Sequence, residues 1–122
     1  SIREVTAIGL RRAGFSVETC DDGQAALDRF AAEPFDLILL DVMLPDMDGF
    51  ELLKALRQDD RFDNLPVLIL SSRADPEAIS RGLALGADGY LTKPYLPHSL
   101  THRVTTILAT GRNKQSSPTE FD

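Results

Sequence analysis

The chain has little cysteine and no long apolar segment, and both shortages exclude whole classes of protein. Cys20 is the single cysteine among 122 residues, so an internal disulfide and a multi-cysteine metal site are excluded, and a reduced, cytoplasmic setting is expected. Apolar runs such as Leu37–Leu40 fall far short of the roughly 20 residues that a membrane span needs. Ser1–Glu4 shows no signal-peptide pattern and neither end carries a lipidation motif, so we expect no membrane partner.

Positive charge is also scarce. The chain has 13 Lys and Arg residues against 19 Asp and Glu residues, and the net charge of −6 argues against direct binding of nucleic acid, whose phosphates need clustered cations.

Neither a P-loop, a GxGxxG segment nor a GxSxG segment occurs, so NTPase, dinucleotide-binding and α/β-hydrolase functions lack their motifs. A hydrophobic content of 43% and a length of 122 residues fit one globular domain.

Hydrophobic periodicity switches repeatedly between the helical and the strand pattern along residues 2–110, whereas residues 111–122 have few apolar side chains. We therefore expect one domain over residues 1–110 and a flexible tail or linker over residues 111–122. Strands that alternate with helices of 10–15 residues indicate βαβ units and a parallel sheet, the α/β class. The predicted strands are Phe15–Cys20, Leu37–Leu40, Val67–Leu70 and Tyr90–Thr92, and the predicted helices lie near residues 2–13, 23–33, 50–58, 76–85 and 97–110.

Polar side chains stand where three of the predicted strands end. Asp41 follows one buried strand, Ser71 follows the next, and Lys93 follows the last. Because parallel sheets bind ligands beyond the carboxyl ends of their strands, we expect an acid, a hydroxyl and an ammonium to meet at one edge. Such a set suits an anionic group such as phosphate together with a divalent cation.

Several separated segments resemble the response-regulator receiver domains of bacterial two-component systems, in particular the chemotaxis-regulator type. Asp36–Gly49, which reads DLILLDVMLPDMDG, resembles their phosphoacceptor segment with Asp41 as the acceptor. Ser71 follows Asp41 by 30 residues, a spacing typical of that family. Lys93 follows it by 52, which is also typical, and Gly86–Leu91 resembles the family's approach to its last strand.

The resemblance implies a flavodoxin-like, doubly wound parallel sheet and a function in a phosphorelay. Asp41 would accept a phosphoryl group from a histidine kinase or phosphotransfer protein and form an aspartyl phosphate. Mg²⁺ would bind Asp41, the Met43 backbone carbonyl and the phosphoryl oxygens, and Lys93 would pair with Asp41 or its phosphate. Such a domain is a stoichiometric acceptor with at most slow autodephosphorylation, so we do not expect an enzyme.

The resemblance also implies a conformational switch. Ser71 would hydrogen-bond the phosphoryl group, Tyr90 would swing inward behind it, and Pro94 would follow a cis peptide bond. The added negative charge would change the conformation of residues 75–110. We expect those residues to form the surface for a downstream output domain or protein, or for a homodimer.

One part of the family pattern is missing from this sequence. Receivers carry two acidic residues at the end of their first strand, whereas Ser1–Val5 resembles the start of the helix that follows that pair. In the order 2-1-3-4-5 the first strand lies between Phe15–Cys20 and Leu37–Leu40. We therefore expect either that these two strands pair directly or that a second chain exchanges a strand into the gap. We also expect weak or absent Mg²⁺ binding, and a natural protein that extends upstream by roughly 15 residues.

Two functions of different class follow from these patterns. The first is a phosphorylation-switched signalling domain; the alternative is a receiver-like protein-interaction module that works without phosphorylation because the acid pair is missing. Asp46 and Asp48 are placed wrongly for a calcium loop, and we expect them to be solvated loop acids. His98 and His102 have the spacing of zinc ligands but no third ligand, and Cys20 is expected to be a small buried hydrophobe.

Overall fold

The computed structural model of the chain describes residues 9–20, 22–42 and 46–111. Residues 9–12 are helical, while the rest of the helix expected over residues 2–13 and the tail beyond Gly111 lie largely outside the described residues. No helix within the described ranges is both long and apolar enough to cross a membrane. The other elements are α1 (Gly23–Ala32), β1 (Ile38–Asp41), α2 (Gly49–Arg57), a 3-10 turn (Asp60–Phe62), β2 (Val67–Ser71), α3 (Pro76–Ala84), β3 (Gly89–Thr92) and α4 (Pro97–Thr110).

The described strands form one parallel sheet in the order β1-β2-β3. Ile38 lies opposite Val67, and Ser71 lies opposite Thr92. Every residue of β2 is buried, as expected for a central strand covered on both faces. Because the strands are parallel, Asp41, Ser71 and Thr92 end them at the same edge of the sheet. This edge is where open α/β sheets bind their ligands.

Helices cover both faces of the sheet, which confirms the doubly wound arrangement. On one face α1, α2 and α3 pack over the strands, and Leu53 of α2 is fully buried there. On the other face α4 and Leu10 pack against Leu68 and Leu70 of β2. Since the side chains of a strand alternate between its two faces, β2 contributes Val67 and Ile69 to the first core and Leu68 and Leu70 to the second.

Short polar and proline signals start two of the helices at the predicted positions. The Asp22 carboxylate accepts a hydrogen bond from the Ala25 N–H at 2.7 Å and caps α1. The Asp75 carboxylate accepts one from the Ala78 N–H at 3.1 Å and caps α3, whose first residue is Pro76. Both arrangements satisfy N–H groups that have no partner inside the helix.

The prediction of a strand over Phe15–Cys20 is wrong. These residues form no strand in the described part of the chain, and β1 is paired there with β2 alone. The direct pairing expected between Phe15–Cys20 and the strand at residues 37–40 therefore does not occur. A strand needs a hydrogen-bonding neighbour, and none of the described strands lies beside this segment. Phe15 and Val17 are nevertheless partly buried against the core under α4.

The fully buried face of α3 consists of two small residues. Ile79 and Leu83 have helical spacing, yet Leu83 is 47% exposed and the buried residues of α3 are Ala78 and Gly82. A Cβ at Gly82 would stand 2.7 Å from Ile69 Cδ1, so the helix backbone approaches β2 closely at this point. The small residues Ala78 and Gly82 allow α3 to approach β2 closely, and the larger Leu83 lies on the exposed side of the helix.

A nearly buried ion pair lies at the end of the sheet opposite Asp41. The Arg57 guanidinium donates to the Asp88 carboxylate at 3.1 Å and to the main-chain oxygens of Gly86 at 3.0 Å and Phe62 at 2.9 Å. Asp88 Oδ2 also accepts a hydrogen bond from the Val67 N–H at 2.9 Å. The two charged side chains are only 11% and 10% exposed. This network joins the end of α2 to the starts of β2 and β3.

Candidate functional site

An acid and an ammonium meet at the carboxyl edge of the sheet. Lys93 Nζ donates a hydrogen bond to Asp41 Oδ2 at 2.7 Å, although the two residues are far apart in the chain. The Lys93 N–H also donates to the Ser71 carbonyl oxygen at 2.7 Å, which fixes the base of the lysine beside the end of β2. Both side chains keep access to solvent, at 42% exposed for Asp41 and 26% for Lys93. An incoming anion can therefore reach this pair.

The main chain of Arg73 is held by two side chains from neighbouring strands. The Arg73 N–H donates to Ser71 Oγ at 3.0 Å, and the Tyr90 hydroxyl donates to the Arg73 carbonyl oxygen at 2.9 Å. Ser71 is fully buried and Tyr90 is 8% exposed, so the tyrosine ring points inward. Sequence reasoning selected Ser71 and Tyr90 but did not foresee Arg73, because main-chain contacts of this kind leave no side-chain signal.

The peptide bond between Lys93 and Pro94 is cis. Met43 lies outside the described residues, so the structure says nothing of its carbonyl oxygen.

Gly49 closes the loop that follows Asp41. Its N–H donates to the Val42 carbonyl oxygen at 2.9 Å. A Cβ at Gly49 would stand 2.4 Å from Val42 Cα and 2.8 Å from the Asp41 carbonyl oxygen, both of them backbone atoms. Glycine is therefore required here for the start of α2 to lie against the end of β1.

Asp46 and Asp48 are exposed loop acids, as expected, and both also accept hydrogen bonds from the starts of helices. The Asp48 carboxylate accepts from the Phe50 N–H at 2.8 Å and caps α2. The Asp46 carboxylate accepts from two N–H groups of α1, Gly23 at 2.7 Å and Gln24 at 3.0 Å. These two hydrogen bonds, the first the stronger, lower the pKa of Asp46 below its ordinary value. The spacing of Asp48 before an apolar helix could have indicated its cap, whereas the contact of Asp46 is visible only in the folded chain.

The described side chains do not amount to a magnesium site. Mg²⁺ takes about six oxygen ligands, several of them water, around one or two carboxylates. Within residues 9–20, 22–42 and 46–111, no group of three His, Cys, Asp or Glu side chains is placed to hold a metal ion. Asp41 supplies one suitable carboxylate, while the carboxylates of Asp46 and Asp48 bind helix N-termini. The Asp41 carboxylate is an oxygen ligand of the type that Mg²⁺ prefers, but the described side chains supply too few such ligands for a magnesium site.

The remaining candidates from the sequence take ordinary positions. His98 and His102 are exposed on α4. Cys20 is partly buried against the core formed by α1 and α2. A small buried hydrophobe was expected at position 20, whereas the structure leaves this side chain partly exposed.

The family follows from comparison with known proteins. The sequence model of the family named response regulator receiver domain matches residues 1–105, which is most of the chain. The chain therefore belongs to the response regulator receiver domain family, the signalling domains of bacterial two-component systems. The resemblance inferred from Asp36–Gly49 and the flavodoxin-like fold are both confirmed.

Individual relatives agree with this assignment. The transcriptional regulatory protein CseB of Streptomyces coelicolor is 42% identical over 107 residues, covering 88% of this chain and 44% of that protein. The alkaline phosphatase synthesis transcriptional regulatory protein PhoP of Bacillus subtilis is 43% identical over 108 residues, covering 88% of this chain and 44% of its own. The structure of the receiver domain of a Francisella response regulator matches with a TM-score of 0.84 and 34% identity over 89% of this chain and 88% of that one. The chain thus spans less than half the length of CseB and of PhoP.

Proposed function

We propose that the chain is a phosphorylation-switched signalling domain in which Asp41 accepts the phosphoryl group. The observation that carries this proposal is the contact of 2.7 Å between Asp41 Oδ2 and Lys93 Nζ at the solvent-accessible edge of the sheet. A carboxylate oxygen of Asp41 attacks the phosphorus of a phosphohistidine on a histidine kinase or phosphotransfer protein. The new P–O bond forms as the P–N bond breaks, and the imidazole nitrogen keeps the electron pair and takes up a proton.

Lys93 and Ser71 act on the transferred group in this proposal. The Lys93 ammonium already lies against the carboxylate and balances the negative charge that gathers on the phosphoryl oxygens. Ser71 ends β2, the strand beside β1, and its hydroxyl can donate to a phosphoryl oxygen while its oxygen continues to accept from the Arg73 N–H. If Mg²⁺ binds, Asp41 and the Met43 carbonyl would be the residues that hold it, and the ion would offset the negative charge of the phosphoryl oxygens.

The switch runs through Arg73. A move of Ser71 toward a phosphoryl group pulls on the Arg73 N–H, and the Arg73 carbonyl in turn holds the Tyr90 hydroxyl. The Arg73 guanidinium pairs with Asp75, the residue that caps α3. The surface that responds is therefore expected over residues 75–110, where a downstream output domain, a partner protein or a second copy binds.

The domain unit proposed here ends near Thr110, with residues 111–122 as a tail or linker, and works in the cytoplasm. Helix α4 ends at Thr110, and Gly111 follows with a φ of +68°, which supports a change of backbone direction at that point. CseB and PhoP are described as transcriptional regulatory proteins, so an output domain that acts on DNA is the expected kind of downstream module. The receiver unit itself, with its net charge of −6, is not expected to contact nucleic acid directly.

The acceptor is tested by labelling with a phosphorylated histidine kinase in the presence of Mg²⁺. The wild-type chain is expected to gain one phosphoryl group that is labile to hydroxylamine, and Asp41→Asn is expected to lose it. Asp36→Asn is the matched control, because Asp36 is an exposed aspartate before the other end of the same strand. Equal labelling of Asp41→Asn and wild type would reject Asp41 as the acceptor.

A second function is favoured by one observation, the single carboxylate at the described edge of the sheet. In that alternative the chain is a receiver-like interaction module that binds its partner without phosphorylation. The two functions differ in a simple binding assay: the first predicts that phosphorylation changes partner affinity, and the alternative predicts equal affinity for wild type and Asp41→Asn with no labelling of either.

A further inference from the structure

The loop after Asp41 is fixed at both ends by contacts with other elements. At its start the Val42 carbonyl accepts from the Gly49 N–H, and at its end Asp48 caps α2. Between these points Asp46 reaches across to α1, 23 residues earlier in the chain, and accepts from the Gly23 N–H at 2.7 Å. The acceptor loop, defined here by its described residues Val42 and Asp46–Asp48, is thereby tied to a helix that is distant in sequence.

Two acids accept hydrogen bonds from the first turn of α1, one adjacent to it in sequence and one distant. Asp22 is the local cap and accepts from the Ala25 N–H, while Asp46 accepts from the Gly23 and Gln24 N–H groups. The Ala26 N–H donates to the Asp22 carbonyl oxygen at 3.2 Å. All four N–H groups of this turn are therefore satisfied, and the two that Asp46 takes are independent of the two that Asp22 takes.

A side-chain contact strengthens the same junction. A Cβ at Gly23 would stand 2.5 Å from Met47 Sδ, so the Met47 side chain lies directly on the backbone of α1 beside the Asp46 contact. Gly23 is buried, which shows that the loop covers it. One polar and one apolar contact from consecutive residues thus hold the acceptor loop against α1.

We propose that Asp46 is a positioning residue for phosphoryl acceptance, holding the acceptor loop, and through it Asp41, in register with α1. This inference rests on the proposed acceptor role of Asp41. Small displacements of a reacting group reduce rates strongly, because the attacking atom must be aligned with the phosphorus. Loss of the Asp46 contacts frees Asp46–Asp48, which lead directly into Gly49 and its contacts with Val42 and Asp41. The rate of transfer at saturating donor then falls, while α1 keeps its local cap.

The test compares Asp46→Ala with Asp22→Ala, which removes the side-chain hydrogen bond to the Ala25 N–H in the same helix turn without touching the acceptor loop. Amide hydrogen exchange measures the contacts themselves: in Asp46→Ala the Gly23 and Gln24 amides are expected to exchange about tenfold faster or more. Phosphoramidate with Mg²⁺ then serves as the phosphodonor, and the dependence of the rate on donor concentration separates the maximal rate from the apparent affinity. Asp46→Ala is expected to lower the maximal rate about tenfold, with the apparent affinity nearly unchanged. Asp22→Ala is expected to stay within about twofold of wild type in both.

Three results would overturn the proposal. An equal loss of rate in Asp46→Ala and Asp22→Ala would show that only the stability of α1 matters. Faster exchange in Asp46→Ala with an unchanged maximal rate would show that the contacts are structural alone. A wild-type chain that takes no label while its Gly23 amide remains protected would reject the proposed function of Asp41 and leave the junction itself intact.

Discussion

Replacing Gly49 by alanine tests the packing that brings the acceptor loop back to β1. The added Cβ would stand 2.4 Å from Val42 Cα and 2.8 Å from the Asp41 carbonyl oxygen, distances at which backbone must move. Overpacking of this kind costs about 1–3 kcal/mol. The shift also weakens the hydrogen bond from the Gly49 N–H to the Val42 carbonyl, worth about 0.5–1.5 kcal/mol. We therefore expect the free energy of unfolding to fall by roughly 2–4 kcal/mol.

Urea denaturation followed by circular dichroism measures this change, with Gly9→Ala as the matched control. A Cβ at Gly9 would meet nothing within 4 Å, and Gly9 is exposed in the helical residues 9–12. The same substitution there should stabilise the chain by about 0.5–1 kcal/mol, because alanine favours the helix over glycine. If Gly49→Ala unfolds within about 1 kcal/mol of wild type, the close approach described for α2 and β1 is incorrect.

Two further predictions concern charge. Arg57→Ala leaves the nearly buried Asp88 carboxylate without its guanidinium, so the free energy of unfolding should fall by about 3–5 kcal/mol in urea denaturation, and a loss below about 1 kcal/mol would contradict the network. The N–H groups of Gly23 and Gln24 lower the pKa of Asp46 in the folded chain. The ionised Asp46 carboxylate therefore stabilises the fold fully above the pKa of an unfolded aspartate, about 3.9. This stabilisation is lost as the pH falls through the lower pKa of Asp46 in the folded chain. In acid titrations of unfolding, Asp46→Asn should therefore lose less stability over this interval than wild type, and identical curves would contradict the assignment.

The sequence was sufficient for features that depend on local chemistry. Pro97–Thr110 was predicted as a helix with its observed bounds, and Asp41 and Ser71 were placed at strand ends. In each case the signal lies within a few residues of the feature it determines. Buried β2 was likewise predictable, since an unbroken apolar run has few other solutions in a short α/β chain.

Features that depend on distant neighbours could not be predicted in the same way. Phe15–Cys20 has the composition of a strand, but no described strand lies beside it to complete the hydrogen bonds. Leu83 has the spacing of a buried residue, yet Gly82 takes the buried position because it lets α3 approach Ile69 closely. The role of Asp46 depends on the position of α1, which no pattern near residue 46 encodes.

The most direct test of the central claim is to locate the phosphoryl group on the chain. After reaction with a phosphorylated histidine kinase, reduction with sodium borohydride converts a phosphorylated aspartate into homoserine, which peptide mass spectrometry then maps. Asp41 is the predicted position, because its carboxylate lies at the accessible edge of the sheet 2.7 Å from Lys93 Nζ. Homoserine at any other aspartate, or a phosphoryl group retained on His98 or His102, would contradict the account.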